Sequence, residues 1–249
     1  TLAAADRARK RFAFEDLFVL QLANLSRRAA LAAHAAPVIA LAEADRAQLL
    51  AALPFTLTSS QQRSLDETLA DMANPRPMNR LLQGDVGSGK TVIAAIAALA
   101  VARAGYQTVF MAPTEILARQ HFETLEKLFA PLLARWGITT DLIIGSLTAA
   151  AKKSKRLGLE SGATHIAVGT HALIEKNIAF HNLGLVIVDE QHRFGVKQRA
   201  ELVARGSTQM ETSALPHFLS MSATPIPRTL SLALFGDLDL SNITELPAG

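Results

Sequence analysis

The sequence predicts an α/β fold, in which a mostly parallel sheet is flanked by helices and preceded by a helical segment. From Leu57 onward, short apolar runs alternate with longer helical or loop segments. Such alternation implies right-handed crossovers and a sheet that is covered on both faces. Before that point, apolar residues recur at helical spacing. We therefore expect a helical connector over residues 1–53 and the main domain over residues 54–249.

Six short apolar runs are the predicted strands. Each is followed by a segment long enough to cross back over the sheet. Parallel sheets of this kind bind ligands beyond the carboxyl ends of their strands, so the residues directly after each run are candidate site residues. The predicted strands are Arg80–Gln83, Thr108–Met111, Thr140–Ile144, His165–Val168, Leu185–Val188 and Phe218–Met221.

The composition excludes several classes of protein. With 249 residues, 49% of them hydrophobic, the chain can bury a large core. It has no Cys, which excludes disulfides, thiolate zinc sites and cysteine nucleophiles and fits a reducing cytosol. The first ten residues are polar and charged, unlike a signal peptide. The longest apolar run, Val92–Ala102, has about half the length of a membrane span, so we expect no membrane partner.

Basic residues leave two alternatives open. The net charge of +3 suits a polyanionic partner without requiring one. Two basic clusters could contact nucleic acid directly, but a run of charge is more often a solvated face, which is the interpretation we favour. The clusters are Arg7, Arg9, Lys10 and Arg11 in the connector, and Lys152, Lys153, Lys155 and Arg156 in the main domain.

The segment Gly84–Thr91 fits the pattern G-x-x-x-x-G-K-[ST] between a predicted strand and a predicted helix. Its glycines let successive backbone N–H groups point at a polyphosphate, and the helix that follows adds its positive N-terminal end. Lys90 is predicted to reach the β- and γ-phosphates, and the Thr91 hydroxyl to bind Mg²⁺. The predicted nucleotide-binding residues here are Gly84, Gly87, Ser88, Gly89, Lys90 and Thr91.

Two carboxylates follow the predicted strand Leu185–Val188. We expect Asp189 to hold Mg²⁺ and Glu190 to orient and deprotonate the water that attacks the nucleotide. The alternative is an ordinary strand that ends in acidic residues. Beside an intact phosphate loop, the pair favours hydrolysis of ATP with Mg²⁺ as cofactor.

The segment Asp189–His192 reads Asp-Glu-Gln-His, and with this D-E-x-H box the chain resembles superfamily 2 helicases. Ala112–Ala118, Val168–His171 and Met221–Leu230 are similar to motifs Ia, Ib and III of these enzymes and occur in the family order. The resemblance is detailed from about Leu53 to Gly249.

Two longer segments, Asp189–Val196 and Thr224–Leu230, resemble the RecG family and its near relative, the transcription-repair coupling translocase. Gln191-His192 and the upstream Phe12–Leu17 favour the RecG family. The resemblance implies the first of two RecA-like P-loop NTPase domains of an ATP-dependent DNA helicase. The alternatives are the coupling translocase and a non-catalytic module that binds DNA or protein.

The resemblance also implies partners. In the family, a wedge domain and a second RecA-like domain of the same chain act with this domain on stalled forks and Holliday junctions, in DNA repair and recombination. The resemblance further implies an enzyme that is bacterial, cytoplasmic and associated with the nucleoid. We expect this domain by itself to bind nucleotide weakly and to hydrolyse little ATP.

The family's motifs assign further roles by resemblance. Gln61 matches the glutamine that reads adenine, although Gln62 is adjacent and an exposed helix-start glutamine is the alternative. Ser222 and Thr224 are expected to sense the γ-phosphate, and His192, classed with the catalytic Lys90, Asp189 and Glu190, to couple the ATP site to motif III. The residues expected to hold a DNA strand by its phosphates are Thr114, Gly169, Thr170 and His171.

Overall fold

The computed structural model describes residues 2–174, 178–190, 214–223 and 238–245. The helices are α1 (Leu2–Ala32), α2 (Glu43–Ala51), α3 (Ser59–Met72), α4 (Lys90–Arg103), α5 (Glu115–Trp136) and α6 (Ala149–Ser161), with a 3₁₀ turn over His171–Ile174. The strands are β1 (Asn79–Gly84), β2 (Gln107–Met111), β3 (Thr140–Ile143), β4 (Ile166–Gly169), β5 (Leu183–Asp189), β6 (His217–Ser222) and β7 (Asp239–Ile243).

The seven described strands form one sheet in the order β3-β4-β2-β5-β6-β1-β7, and every pairing is parallel. The predicted α/β fold is therefore confirmed, and each of the six predicted strands is present with bounds shifted by one or two residues. The strand that the sequence did not predict is β7. It pairs only with β1, and its residues are partly exposed, so it lacks the continuous apolar run that marks a strand buried on both faces.

Helix α4 is the centre of the larger core. Every residue from Val92 to Ala102 is buried, because the helix lies between the sheet and the helices α3 and α5. Its many alanines permit this close packing on all sides. A second core lies on the opposite face of the sheet, as Val186 and Val188 of β5 belong to it whereas Ile187 belongs to the first. The phosphate loop thus leads into a helix that is fixed from all directions.

The N-terminal helices differ in how they pack. In α1, large apolar side chains such as Phe12 (66% exposed) and Phe14 (67% exposed) face solvent within the described part of the chain. Its C-terminal half is held by a salt bridge from Arg28 to Asp239, 2.6 Å long. By contrast, Leu49 of α2 is completely buried in the larger core. The domain boundary at residues 53 and 54 stays a prediction, with α2 packed closely on the main domain.

The basic cluster of the connector behaves as a solvated helix face where its side chains are described. Lys10 pairs with Asp6 at 2.9 Å and Arg11 with Glu15 at 2.9 Å, each one turn away along α1. None of the helices in the described part of the chain has the length and apolar character that a membrane span requires.

Candidate active site

The phosphate loop and the acidic pair lie at the same edge of the sheet. β1 ends at Gly84 and β5 ends at Asp189, and β6 runs between them in the same direction. Asp189 is level with Met221 of β6, which in turn is level with Leu82 of β1. Because neighbouring strands are about 4.8 Å apart, the end of β5 lies roughly 10 Å across the sheet from β1. A bound triphosphate and its metal ion can span that separation.

Two features give the loop after β1 the shape of an anion cradle. Gly87 and Gly89 have φ angles of +82° and +91°, values that a side chain would strain. A Cβ on Gly84 would lie 2.5 Å from Ser88 Oγ. The glycines are therefore required by the backbone path and by the close approach of the loop to itself.

Lys90 is folded over the loop that precedes it. Its Nζ donates to the carbonyl oxygens of Gly84, at 2.7 Å, and Asp85, at 2.8 Å. Burial lowers the pKa of Lys90 below its ordinary value, while the negative charges of Asp189, Glu190 and Asp85 oppose that effect. The lysine is thus partly dehydrated, and the charges of Asp189 and Glu190 favour its protonated form.

The end of β5 is strained at Glu190. This residue has a φ of +54°, the only positive φ of a described residue other than glycine, and its backbone N–H donates to the Met221 carbonyl oxygen at 3.0 Å. Left-handed backbone costs about 1 kcal/mol or more for a residue with a Cβ, and such strain clusters at functional sites. The bond to Met221 holds the strained residue against β6 at the end of β5.

The residues at this edge fit a magnesium-bound triphosphate. Ser88 Oγ is buried without a hydrogen-bond partner in the described structure, and the carbonyl bonds of Lys90 can be exchanged for bonds to phosphate oxygens. No group of three or more His, Asp or Glu residues among those described could hold a metal by itself. That is the usual situation for Mg²⁺, which binds one or two protein oxygens together with substrate phosphates. Thr91 and Asp189 are the candidate protein ligands.

Gln61 is buried against the phosphate loop, with only 1% of its surface exposed. Its Nε2 donates to the Ser88 carbonyl oxygen at 2.8 Å, and its Oε1 accepts the backbone N–H of Thr58 at 2.8 Å. The alternative of an exposed glutamine is therefore wrong. The role in reading adenine stays a prediction, and one N–H and one lone pair of the amide remain for it. Gln62 instead donates to Asp66 at 3.0 Å on the same helix.

Ser222 ends β6 between the two halves of the site. It is 5% exposed and level with Gln83, the residue before the first glycine of the phosphate loop. Ser222 thus lies at the same edge of the sheet as the phosphate loop, and its role in sensing the γ-phosphate stays a prediction. His192 and Thr224, the other two predicted coupling residues, lie outside the described residues.

The residues predicted to hold DNA lie at the same edge, where β2 and β4 end. Thr114 is exposed and caps α5, where its Oγ1 accepts the Leu117 N–H at 3.3 Å. Thr170 is half-buried and His171 is exposed at the start of the 3₁₀ turn. Gly169 is buried, and a Cβ there would lie 2.0 Å from the Ile143 carbonyl oxygen. Packing of β4 against β3 thus requires this glycine, whatever its role toward DNA.

A pocket of about 340 Å³ adjoins these residues. Three cations of the basic cluster on α6 line it above an apolar floor, while the fourth, Lys155, is bound to Asp141. Lys152 and Lys153 form no salt bridge within the described residues. The pocket is lined by Ile143, Ala149, Lys152, Lys153, Arg156, Ala172 and Ile178.

Residues 58–232, well over half of the chain, match the family model described as DEAD/DEAH box helicase. The chain belongs to the DEAD/DEAH box helicase family. The described residues of this helicase domain therefore include the family's phosphate loop and the first two residues of its acidic box, Asp189 and Glu190, at one edge of a RecA-like sheet.

The helicase domain is also similar to RecG proteins over nearly its whole length. It is 48% identical over 244 residues to the ATP-dependent DNA helicase RecG of Aquifex aeolicus, covering 98% of this chain and 30% of that protein. It is 46% identical to the ATP-dependent DNA helicase RecG of Synechocystis, and the match covers 97% of this chain and 28% of that protein. The predicted resemblance to RecG is confirmed over this stretch, and the chain spans about a third of the length of these relatives.

A solved structure supports the same likeness. The structure of RecG bound to a three-way DNA junction superposes with a TM-score of 0.84 and 42% identity, covering 100% of this chain and 32% of that one. A DEAD-box splicing factor from yeast, Prp28, superposes with a TM-score of 0.53 at 16% identity, which indicates a shared fold.

One contact of the helicase domain was not predicted from the sequence. His121 of α5 lies with its Nε2 2.7 Å from Asp189 Oδ2, and both side chains are nearly buried. The sequence contained a weak signal, since His121 follows the motif Ia segment by three residues. A lone histidine on a helix does not, however, indicate which strand end it will meet.

Proposed function

We propose that this chain is the first of two RecA-like motor domains of a RecG-type DNA translocase, which uses ATP and Mg²⁺ to remodel stalled forks and Holliday junctions in the bacterial cytoplasm. The observation that carries the proposal is that the phosphate loop with Lys90, after β1, and Asp189 and Glu190, at the end of β5, lie at the same edge of the sheet with only β6 between the two strands. A lysine between a phosphate loop and two carboxylates is the arrangement that phosphoryl transfer from a nucleoside triphosphate requires.

Each residue of the site has a distinct task in this proposal. Lys90 exchanges its carbonyl partners for phosphate oxygens, and the loop N–H groups hold the rest of the triphosphate. Thr91 and Asp189 hold Mg²⁺, whose charge neutralises the phosphates when it is bound. Glu190, held at the end of β5 in a left-handed backbone conformation, orients the attacking water and accepts its proton.

The DNA-binding surface continues from motif Ib onto α6. Thr114, Thr170 and His171 present hydroxyl, ring and backbone donors, which grip phosphates without reading base sequence. Lys152 and Lys153 border the neighbouring pocket and can add charge to this grip. A solved relative is RecG bound to a three-way DNA junction, which supports branched DNA as the partner of the whole protein.

A second RecA-like domain of the same protein completes the ATP site in this proposal, and a wedge domain engages the branch point. Arginines from across the cleft would stabilise the charge that develops in the transition state. The domain by itself is therefore expected to bind nucleotide and to turn over far more slowly than about 1 s⁻¹, an ordinary value for a complete enzyme.

Nucleotide-dependent thermal stabilisation tests the ATP site of the isolated domain. ATP with Mg²⁺ should raise the Tm of the wild type, and Lys90→Ala should abolish that rise, because a ligand stabilises only the state that binds it. An equal response in both proteins would refute the phosphate assignment.

For the whole protein, the test is conversion of model forks into four-way junctions. Failure on forks combined with displacement of stalled RNA polymerase would instead identify the coupling translocase.

A further inference from the structure

His121 connects α5 to the carboxylate that is expected to hold Mg²⁺. Its Nε2 lies 2.7 Å from Asp189 Oδ2, and the exposed fractions of the two side chains are 8% and 12%. A carboxylate accepts hydrogen bonds, so Nε2 carries the proton and donates. In such a dehydrated setting the bond fixes the orientation of the carboxylate. One oxygen is thereby held by the histidine, and the other is the one left to serve the metal.

The ring of His121 is itself held in place by β2. It stacks on Phe110 with ring centroids 4.7 Å apart and planes inclined by 23°. Phe110 is completely buried and is level with Ile187 of β5 in the sheet. The histidine is therefore fixed between an aromatic ring on one strand and a carboxylate at the end of the next. It can shift relative to Asp189 only if α5 shifts relative to the sheet.

The same helix begins at the DNA-binding surface. Thr114 caps α5 directly after β2, and His121 follows seven residues later, which is about 10 Å along a helix. The next residue after the cap, Glu115, accepts hydrogen bonds from the backbone N–H and the hydroxyl of Ser146 in the loop after β3, at 2.9 and 2.6 Å. A DNA strand that engages the start of α5 thus acts on a helix that contacts, two turns further on, the carboxylate expected to hold Mg²⁺.

We propose that His121 is a positioning residue that couples DNA binding at the start of α5 to the orientation of Asp189, and so determines how strongly DNA accelerates ATP hydrolysis. This inference rests on the proposed function. His121 does not touch the nucleotide in this scheme. Its effect is exerted on Asp189, and it should therefore alter the Mg²⁺ requirement and the DNA response more than the binding of the nucleotide itself.

The test compares two substitutions in the complete two-domain protein. His121→Phe keeps a ring stacked on Phe110 but removes the hydrogen bond to Asp189. His121→Gln places an amide N–H near the position of Nε2 and retains the bond. For each variant we would measure the Kd of a fluorescent ATP analogue without Mg²⁺, the Mg²⁺ concentration that half-saturates its binding, and ATP turnover with and without forked DNA.

We expect His121→Phe to leave the Mg²⁺-free Kd within about twofold of wild type, to raise the half-saturating Mg²⁺ concentration, and to reduce DNA stimulation about tenfold. That loss corresponds to about 1.4 kcal/mol, an ordinary value for a hydrogen bond to a charged group. His121→Gln should recover most of the stimulation. Glu123→Gln, on the exposed side of the same helix, is the matched control and should behave as wild type.

Unchanged DNA stimulation and Mg²⁺ requirement in a folded His121→Phe protein would overturn the inference while leaving the ATP site intact. A wild type that binds no ATP at all would instead overturn the proposed function. If His121→Phe fails to fold, His121→Asn replaces it, because its amide superposes on Nδ1 and falls short of Asp189. Equal stimulation in the Gln and Asn variants would then overturn the role of the Nε2 bond.

Discussion

Gln61 donates a hydrogen bond from Nε2 to the Ser88 carbonyl oxygen, 2.8 Å away, and so ties the first turn of α3 to the phosphate loop. The same side chain completes a capping box with Thr58. Replacing it with alanine removes both bonds and leaves buried backbone groups unsatisfied. We expect Gln61→Ala to lower the free energy of unfolding by about 2 kcal/mol, measured by urea denaturation.

Base selectivity distinguishes the structural role of Gln61 from adenine reading. If its remaining N–H and lone pair meet adenine, Gln61→Ala should bring the Kd values for ATP and GTP close together. Gln62→Ala is the matched control, since the Gln62 side chain donates to Asp66 on the same helix and not to the phosphate loop. An unchanged preference for ATP in Gln61→Ala, with loss of the preference in Gln62→Ala, would reassign the adenine contact to Gln62.

Gly89 is constrained twice, by its φ of +91° and by Gln61. A Cβ there would lie 2.4 Å from Gln61 Nε2. We expect Gly89→Ala to abolish nucleotide-dependent stabilisation and to destabilise the chain by more than the strain of a left-handed alanine, which costs about 1 to 2 kcal/mol. Thermal unfolding with and without ATP and Mg²⁺ measures both effects.

Gly105 provides the matched control for Gly89. Its φ is +83°, but a Cβ there would meet nothing within 4 Å. Gly105→Ala should lose only the strain of about 1 to 2 kcal/mol and keep the full response to nucleotide. If both variants lost the same stability and the same nucleotide response, the close approach of Gly89 to Gln61 would not contribute to either property.

Glu190 has a backbone conformation that favours glycine and a side chain expected to activate water. Glu190→Gln should retain nucleotide binding while hydrolysis by the complete protein falls at least about 100-fold, the usual contribution of a general base. Glu190→Ala and Glu190→Gly both lack the carboxylate, and at a φ of +54° the glycine variant should be the more stable by about 1 kcal/mol. Equal stability of these two would show that the left-handed turn does not persist in solution.

The sequence predicted the parts of this structure that follow from local patterns. Continuous apolar runs predicted six buried strands, and the glycine spacing predicted a loop that the structure places between β1 and α4. The edge strand β7 was missed because a strand paired on one side does not require such a run. We inferred that Lys90 and Asp189 share one edge of the sheet because parallel sheets bind ligands beyond the carboxyl ends of their strands. The strand order places both residues at that edge.

Contacts between distant elements could not be predicted in the same way. His121 precedes Asp189 by 68 residues, and the two meet only because α5 packs over β3 and β4 and beside α4. Gln61 was assigned by resemblance to a base contact, but its burial against Ser88 depends on how α3 packs on the phosphate loop. Such pairs depend on tertiary packing, and neither residue type nor local spacing encodes them.

His217 makes the stability of the domain sensitive to acid. Its Nε2 donates to the Pro37 carbonyl oxygen at 2.7 Å and its Nδ1 accepts the Met78 N–H at 3.0 Å, which together join the connector to β1 and β6. Burial lowers the pKa of His217 below 6.5, while the bond to Pro37 and the charge of Asp71 oppose that effect. As the pH falls, His217 is therefore protonated in the unfolded state before it is protonated in the folded state.

The free energy of unfolding should consequently be highest above about pH 6.5. It should decline by up to about 1.4 kcal/mol per pH unit as the pH falls toward the lowered pKa of His217 in the folded state. The Tm of the wild type should drop by several degrees between pH 7 and pH 5.5. His217→Gln removes the titrating group, so its Tm, although lower at pH 7, should change less over that interval. A parallel decline in both proteins would assign the acid sensitivity to other groups.

Lys152 and Lys153 test how far the DNA-binding surface extends along the sheet edge. Both border the pocket beside motif Ib, whereas Lys155 of the same cluster is bound to Asp141. If each lysine neutralises one DNA phosphate, the double variant Lys152→Ala/Lys153→Ala should reduce the slope of log K against log salt by about 2. Titration of labelled duplex DNA at several salt concentrations measures this slope.

The control for this double variant is Lys127→Ala. It removes the same kind of charge about 20 Å along α5 from Thr114 and should leave the slope unchanged. An unaltered slope in the double variant would return these lysines to an ordinary solvated surface and confine the DNA contact to Thr114 and the turn after β4.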